Sequence, residues 1–123
     1  MGLTNAGRDF IAKSIINDSP DFYDGSNAHI GVGDGTAAFN STQTDLQGAV
    51  KTRMLVDNTP IRTANQLEFK ATYGSDDANH AWDEWGVFNA ASGGEMLNRK
   101  VEPLGTKTGG LWVLTVTLAV NIG

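Results

Sequence analysis

Hydrophobic and polar residues alternate most regularly near the end of the chain. On one face of an extended chain lie Trp112, Leu114, Val116, Leu118, Val120 and Ile122. Because successive side chains of a strand point to opposite faces, this pattern predicts a core strand over 111–122. Residues 66–73 alternate as clearly, with Leu67, Phe69, Ala71 and Tyr73 on one face, and predict a half-buried strand.

The pattern takes a helical period only near the start of the chain. Thr4 is a residue type that caps helices, and the helix should run to about Asn17. A stripe formed by Phe10, Ile11 and Ile15, with Ile16 beside it, should pack inward, while the charged residues stay mostly outside: Arg8, Asp9 and Lys13. No other segment predicts a helix as convincingly.

Shorter apolar runs predict further strands at 28–32, 51–56, 82–89 and 95–101, the last two joined as a hairpin through 89–94. Turn-forming residues separate these runs at 33–36, 74–79 and 103–110. Residues 37–48 predict an ordered excursion with room for one helical turn. We therefore expect a mainly β protein, a compact antiparallel β-sandwich or barrel with one N-terminal helix, formed as a single domain over 1–123.

Composition excludes several classes of protein. The chain has no cysteine, so it forms neither disulfides nor thiolate metal sites. Its net charge of −5, with scattered Lys and Arg, argues against a nucleic-acid partner. The apolar run 111–122 is too short to cross a bilayer as a helix, so we expect no membrane partner.

Candidate chemistry concentrates around Glu84. Asp76, Asp77 and Asp83 lie near it in sequence, together with His80, and carboxylates with a histidine can form an acid–base or metal site. Adjacent strand residues point to opposite faces, so Asp83 and Glu84 should not converge on one substrate atom. Three interpretations stay open: catalysis, which the geometry disfavours; a structural pair between Glu84 and Arg99 or Lys100; and plain solvated charge.

Other motifs predict structure rather than chemistry. The run Gly31–Gly35 lacks the later residues of a phosphate-binding loop and predicts a tight turn. His29 is expected to be a structural imidazole. The three tryptophans are more typical of a core than of a glycan-stacking platform: Trp82, Trp85 and Trp112. We predict no catalytic, cofactor-binding or metal-binding residue.

An ordered set of segments resembles a known family. The set comprises 3–12, Ala28-His29-Ile30-Gly31-Val32-Gly33-Asp34-Gly35, Glu84-Trp85-Gly86-Val87-Phe88-Asn89, Gly93-Gly94, Met96-Leu97 and Lys107-Thr108 before the last strand. In this order it resembles small structural proteins of tailed bacteriophages and is similar to the N-terminal domain of phage tail-collar fibre proteins. A fibre protein continues into a shaft and tip, whereas this sequence ends at Gly123, so we expect a stand-alone subunit.

The resemblance implies a non-enzymatic component of the virion, synthesised in the cytoplasm of a host bacterium. The first expectation is a capsid decoration (cement) protein. The first alternative is a tail or baseplate adaptor that anchors a fibre, and the second alternative is a glycan-binding host-recognition module. The expected partners are further copies of the chain, in a homo-oligomer such as a trimer, and major capsid or tail proteins. The expected contact residues are apolar groups in polar loops: Phe22, Tyr23 and Phe39.

Overall fold

A computed structural model describes residues 2–121, which form one helix and eight strands. In chain order the elements are β1 (Gly2–Leu3), α1 (Asn5–Ile16), β2 (His29–Gly33), β3 (Lys51–Leu55), β4 (Ile61–Thr63), β5 (Gln66–Tyr73), β6 (Ala81–Phe88), β7 (Met96–Thr106) and β8 (Trp112–Ala119). The helix and the strand over 66–73 have the predicted positions. The short strands β1 and β4 were not predicted, because two or three residues carry no periodic signal.

The strands form two antiparallel sheets that are not closed into a barrel. Sheet A has the order β1-β7-β6-β2-β3, and sheet B has the order β4-β5-β8. Side chains from both sheets share one core, which includes Ile30, Val32, Phe69, Tyr73, Trp82, Trp85, Val87, Val116 and Leu118. The mainly β fold with a single N-terminal helix is therefore confirmed, in the sandwich form of the prediction.

The strand β7 is longer than predicted. Residues 103–106 were expected in a turn, but they continue β7, with Gly105 opposite Trp82 and Thr106 opposite Ala81. Pro103 is tolerated there because it lies between Val101 and Gly105, where the pairing of β7 with β6 shifts register and the ladder of hydrogen bonds is interrupted.

The strand β8 supplies core residues over only part of the predicted length. Val116 and Leu118 are buried, and Trp112 and Leu114 pack against the core from partly buried positions. The strand ends at Ala119, and Val120 is 51% exposed, so its predicted core position is wrong. Ile122, the last member of the predicted face, lies outside the described residues.

The helix α1 begins and ends where its caps predict. The hydroxyl of Thr4 accepts a hydrogen bond from the Gly7 N–H at 2.9 Å, and Asn17 ends the helix in the left-handed conformation. The inward placement of Ile15 and Ile16 is wrong, since they are 77% and 75% exposed. The helix is held at its N-terminal half, where Gly7 rests on β7, and its last turn extends past that contact.

The excursion over 37–48 is ordered but contains no helical turn. It crosses the outer face of sheet A, where Leu46 is buried against Phe88 and Met96 in a second, smaller apolar cluster. Side chains of β6 and β7 form hydrogen bonds to its backbone. This segment is therefore held in place without the internal hydrogen bonds of a helix. No helix among residues 2–121 has the length and hydropathy needed to span a bilayer.

Candidate functional site

The carboxylate of Glu84, on β6, is buried and fully engaged. Its Oε1 accepts hydrogen bonds from Arg99 Nε at 2.7 Å and from the Gln47 N–H at 2.8 Å. Its Oε2 accepts from the N–H groups of Gly48 at 2.7 Å and Gly35 at 2.9 Å. Neither Glu84 nor Arg99 is exposed. The structural-pair interpretation is confirmed, with Arg99 as the partner.

The predicted tight turn over Gly31–Gly35 is wrong, because Gly31 to Gly33 belong to β2 and the chain continues past Gly35 without a turn. The segment over 33–35 instead lies against this carboxylate. A Cβ on Gly33 would lie 2.6 Å from Glu84 Oε2, and one on Gly35 would also collide with that oxygen. The glycines therefore permit the backbone to approach a negative charge closely, as they do in phosphate-binding loops. In this protein the anion at the amides is the chain's own glutamate.

Arg99 extends the same network to the excursion over 37–48. Its Nη1 donates to Ala37 O at 2.9 Å and to Gln43 Oε1 at 3.1 Å. Among the buried side-chain atoms of residues 2–121, only Arg99 Nη2 and Asn98 Nδ2 have no hydrogen-bond partner. The ion pair thus fastens a long loop onto sheet A from two adjacent strands.

The remaining candidate carboxylates do not assemble into a site. Asp77 Oδ2 accepts from the Gly74 N–H at 2.9 Å, and His80 Nε2 lies 3.0 Å from Thr52 Oγ1. Within the described chain, no group of three His, Asp or Glu side chains could hold a metal ion. His29 Nδ1 lies 2.7 Å from Asn27 O, a contact of the structural type expected.

Lys107 is a second buried cation with a structural contact. Its side chain is completely buried, and Nζ donates to Gly74 O at 2.6 Å and to Asn79 Oδ1 at 2.8 Å. Both acceptors belong to the polar connection over 74–79 that precedes β6. Lys107 therefore fixes this connection to the start of the loop before β8.

The tryptophans belong mainly to the core. Trp82 and Trp85 are buried, and the Trp82 ring packs edge-to-face between Tyr73 and Trp112, at 4.7 and 5.0 Å between centroids. Trp112 is partly buried against the same cluster. This confirms the predicted core placement, and it leaves neither Trp82 nor Trp85 free to stack on a sugar ring.

An open apolar cavity of about 250 Å³ lies between α1 and the end of sheet B. Its lining is apolar except at Asn98 and Tyr23 and includes Leu3, Phe10, Ile11, Phe22, Leu67 and Leu118. Tyr23 donates its hydroxyl to Glu95 O at 2.9 Å, and burial, with the nearby Glu95 charge, raises the pKa of its phenol. Apart from the Tyr23 phenol, which burial keeps neutral, no lining residue is an ionisable acid or base, so the cavity suits apolar contact rather than acid–base chemistry.

The structure separates the three predicted contact residues. Phe22, which is 50% exposed, and Tyr23 both line the apolar cavity, and both rings pack edge-to-face on Phe10. Phe39 lies elsewhere, in a shallower depression with Gly2 and Val101. Their role as an interface stays a prediction, and Phe39 does not share a surface with the other two.

Much of the cavity could not be found from the sequence. Leu3, Pro60 and Val120 come from three distant parts of the chain, and no local pattern links them. The Glu84 network was partly accessible, since strand pairing suggested Arg99. The three backbone N–H groups that donate to its carboxylate could not be predicted, because residue type does not indicate which loop amides will contact a carboxylate.

The chain matches no protein-family model, no curated protein and no solved structure. Its functional proposal therefore rests on its own residues. These residues include buried charged side chains that form hydrogen bonds within the fold, and they include an open apolar surface at α1.

Proposed function

We propose that this protein is a non-enzymatic structural subunit of a tailed-phage virion and that it works by association. The observation that carries this proposal is the concentration of exposed apolar side chains on and beside α1. Ile15 and Ile16 are 77% and 75% exposed, and three lining residues of the open cavity are at least 41% exposed: Leu3, Phe22 and Val120. Apolar surface left open in this way marks contact sites for other macromolecules.

The buried charges support the same proposal, because each has a structural task. Glu84 uses both carboxylate oxygens on four donors, and Lys107 holds two loop acceptors. A general acid or base must reach the proton of a substrate, and a carboxylate that is buried and fully hydrogen-bonded does not. The network instead gives the loops one fixed shape, which a repeating subunit needs.

The segments that resemble tail-collar proteins also meet in space. The segment over 33–35 and the strand residues 84–88 join at the Glu84 carboxylate, and Arg99 follows the Met96-Leu97 segment of the same set. These segments of the set therefore pack together, whereas Lys107 contacts the connection over 74–79, which lies outside the set. We favour a capsid decoration protein, with a tail or baseplate adaptor as the alternative location for the same subunit.

The test is the composition of purified phage particles from a lysate in which this chain is produced. Quantitative mass spectrometry of the particles should recover the chain at a fixed copy number relative to the major capsid protein. An electron-microscopic reconstruction then separates the two locations, since a decoration protein adds density to the shell and an adaptor adds it to the tail. Absence of the chain from particles that are otherwise complete would contradict the proposal.

A further inference from the structure

We infer that the solvent-facing stripe of α1 pairs with the same stripe of a second copy of this chain, with the two helices antiparallel. The stripe consists of Arg8, Ala12, Ile15 and Ile16, all exposed. Positions 8, 12, 15 and 16 share one helix face because an α-helix has 3.6 residues per turn. This inference rests on the proposed function, since it names the self-association surface of that subunit.

The fold of one chain does not account for the two isoleucines. At 77% and 75% exposure they bury little apolar surface, and isoleucine is a weaker helix former than alanine, lysine or glutamate. An exposed helix position gains nothing from a β-branched apolar residue unless a partner covers it. The small side chain of Ala12, on the same stripe, permits a second helix to approach closely.

Charges at the two ends of the stripe identify the partner. Arg8 lies in the first turn of α1, which contains no acidic residue, and Asp18 follows the helix C-terminus. Both charges are unfavourably placed with respect to the dipole of their own helix. Beside an antiparallel copy each becomes favourable, because Arg8 approaches a helix C-terminus and Asp18 approaches an N-terminus.

The spacing also fits a two-fold axis. Arg8 and Asp18 lie five residues on either side of position 13, so an axis at that position, in the C-terminal half of α1, places Arg8 opposite Asp18 of the second copy, twice. The apolar residues Ala12, Ile15 and Ile16 then lie between the two charge pairs. A second copy of this chain therefore matches the stripe in both charge and apolar content.

Sedimentation of the purified full chain tests the apolar part of the contact. Ile16→Glu should raise the dissociation constant at least about tenfold, since it places a charge in a desolvated contact. Ile61→Glu is the matched control, because Ile61 is also exposed, at 58%, but lies on β4. Equal association of the two variants, or a monomeric unaltered chain, would overturn the inference.

A charge exchange tests the antiparallel arrangement. Arg8→Asp alone and Asp18→Arg alone should each weaken association about tenfold, because each sets like charges opposite one another at two places. The double variant should recover most of that loss. Circular dichroism first establishes that every variant is folded. The antiparallel pairing would be overturned if the single variants associated as tightly as the unaltered chain, or if the double variant did not recover the association that they lose.

The outcome for particles separates this inference from the proposed function. A chain that is monomeric in solution and still recovered from purified virions overturns the helix pairing alone. A chain that pairs through α1 and is absent from virions overturns the proposed function alone.

Discussion

Arg99 Nε donates to Glu84 Oε1 across 2.7 Å, and neither side chain is exposed to solvent. A buried ion pair adds little net stability over apolar residues of the same volume, because both charges lose their hydration. Removing one partner is costly, since the other charge remains buried without compensation. The main role of the pair is therefore to hold the excursion over 37–48 in one position on sheet A.

Glu84→Gln should destabilise the protein by about 3–5 kcal/mol, since it leaves the Arg99 charge without its partner. Chemical denaturation followed by circular dichroism measures the loss. Glu68→Gln is the matched control: Glu68 is exposed on β5, and its substitution should change the free energy of unfolding by less than about 0.5 kcal/mol. Equal stability of the two variants would contradict the structural role of the pair.

The same substitution should loosen a defined set of amides. The N–H groups of Gly35, Gln47 and Gly48 donate to the Glu84 carboxylate and should exchange faster with deuterium in Glu84→Gln. Under native conditions, the exchange rates of amides in the β5–β8 ladder should increase much less than the rates of these three. A uniform acceleration across both sheets would show that the carboxylate does not hold this loop specifically.

Gly7→Ala should destabilise the protein, although alanine is the better helix former by about 1 kcal/mol. The added Cβ would collide with the Leu97 carbonyl on β7, so the helix must move away from the sheet. We expect a net loss of about 1–3 kcal/mol, as for other overpacked contacts. A rise in thermal midpoint for Gly7→Ala would contradict this close approach of α1 to β7.

Lys107→Met should cost about 1–3 kcal/mol, because Gly74 O and Asn79 Oδ1 lose the buried donor that both share. The exposed Lys70, on β5, supplies the control Lys70→Met, for which we expect little change. Denaturant midpoints of the two variants give the comparison. Should both midpoints agree with that of the unaltered protein, the ammonium would not be fixing the connection over 74–79.

Both tyrosines should resist ionisation in the folded protein. Burial, assisted by the charges of Glu95 and Asp57, raises the pKa of Tyr23 and Tyr73 above the usual value of 10.0. The folded state therefore favours the neutral phenol, so this contribution to stability is full below about pH 10 and declines as the pH rises further. Ultraviolet absorbance should show phenolate near pH 10 only in denaturant; its appearance there in the folded protein would contradict the burial.

The sequence predicts this fold well where a local pattern is sufficient. The strand β5 and the caps of α1 are set by alternation and by Thr4 and Asn17, which act over a few residues. Prediction fails where distant contacts decide. The exposure of Ile15 and Ile16 depends on where the helix meets β7, and the extension of β7 through Pro103 depends on a register shift in its pairing with β6.

The candidate site divides in the same way. Pairing of Glu84 with Arg99 was among the alternatives, because a hairpin brings neighbouring strands together. The amides that complete the carboxylate site come from 35 and 47–48, and loop positions of this kind are fixed only by the folded whole. The cavity beside α1 is likewise a product of packing between segments far apart in the chain.

Sedimentation equilibrium of the unaltered chain over a range of concentrations tests most directly whether copies of this protein associate with one another. We expect a mass that rises with concentration to at least twice that of one chain, as the apolar surface on α1 becomes covered. The mass of a single chain at every concentration would contradict it.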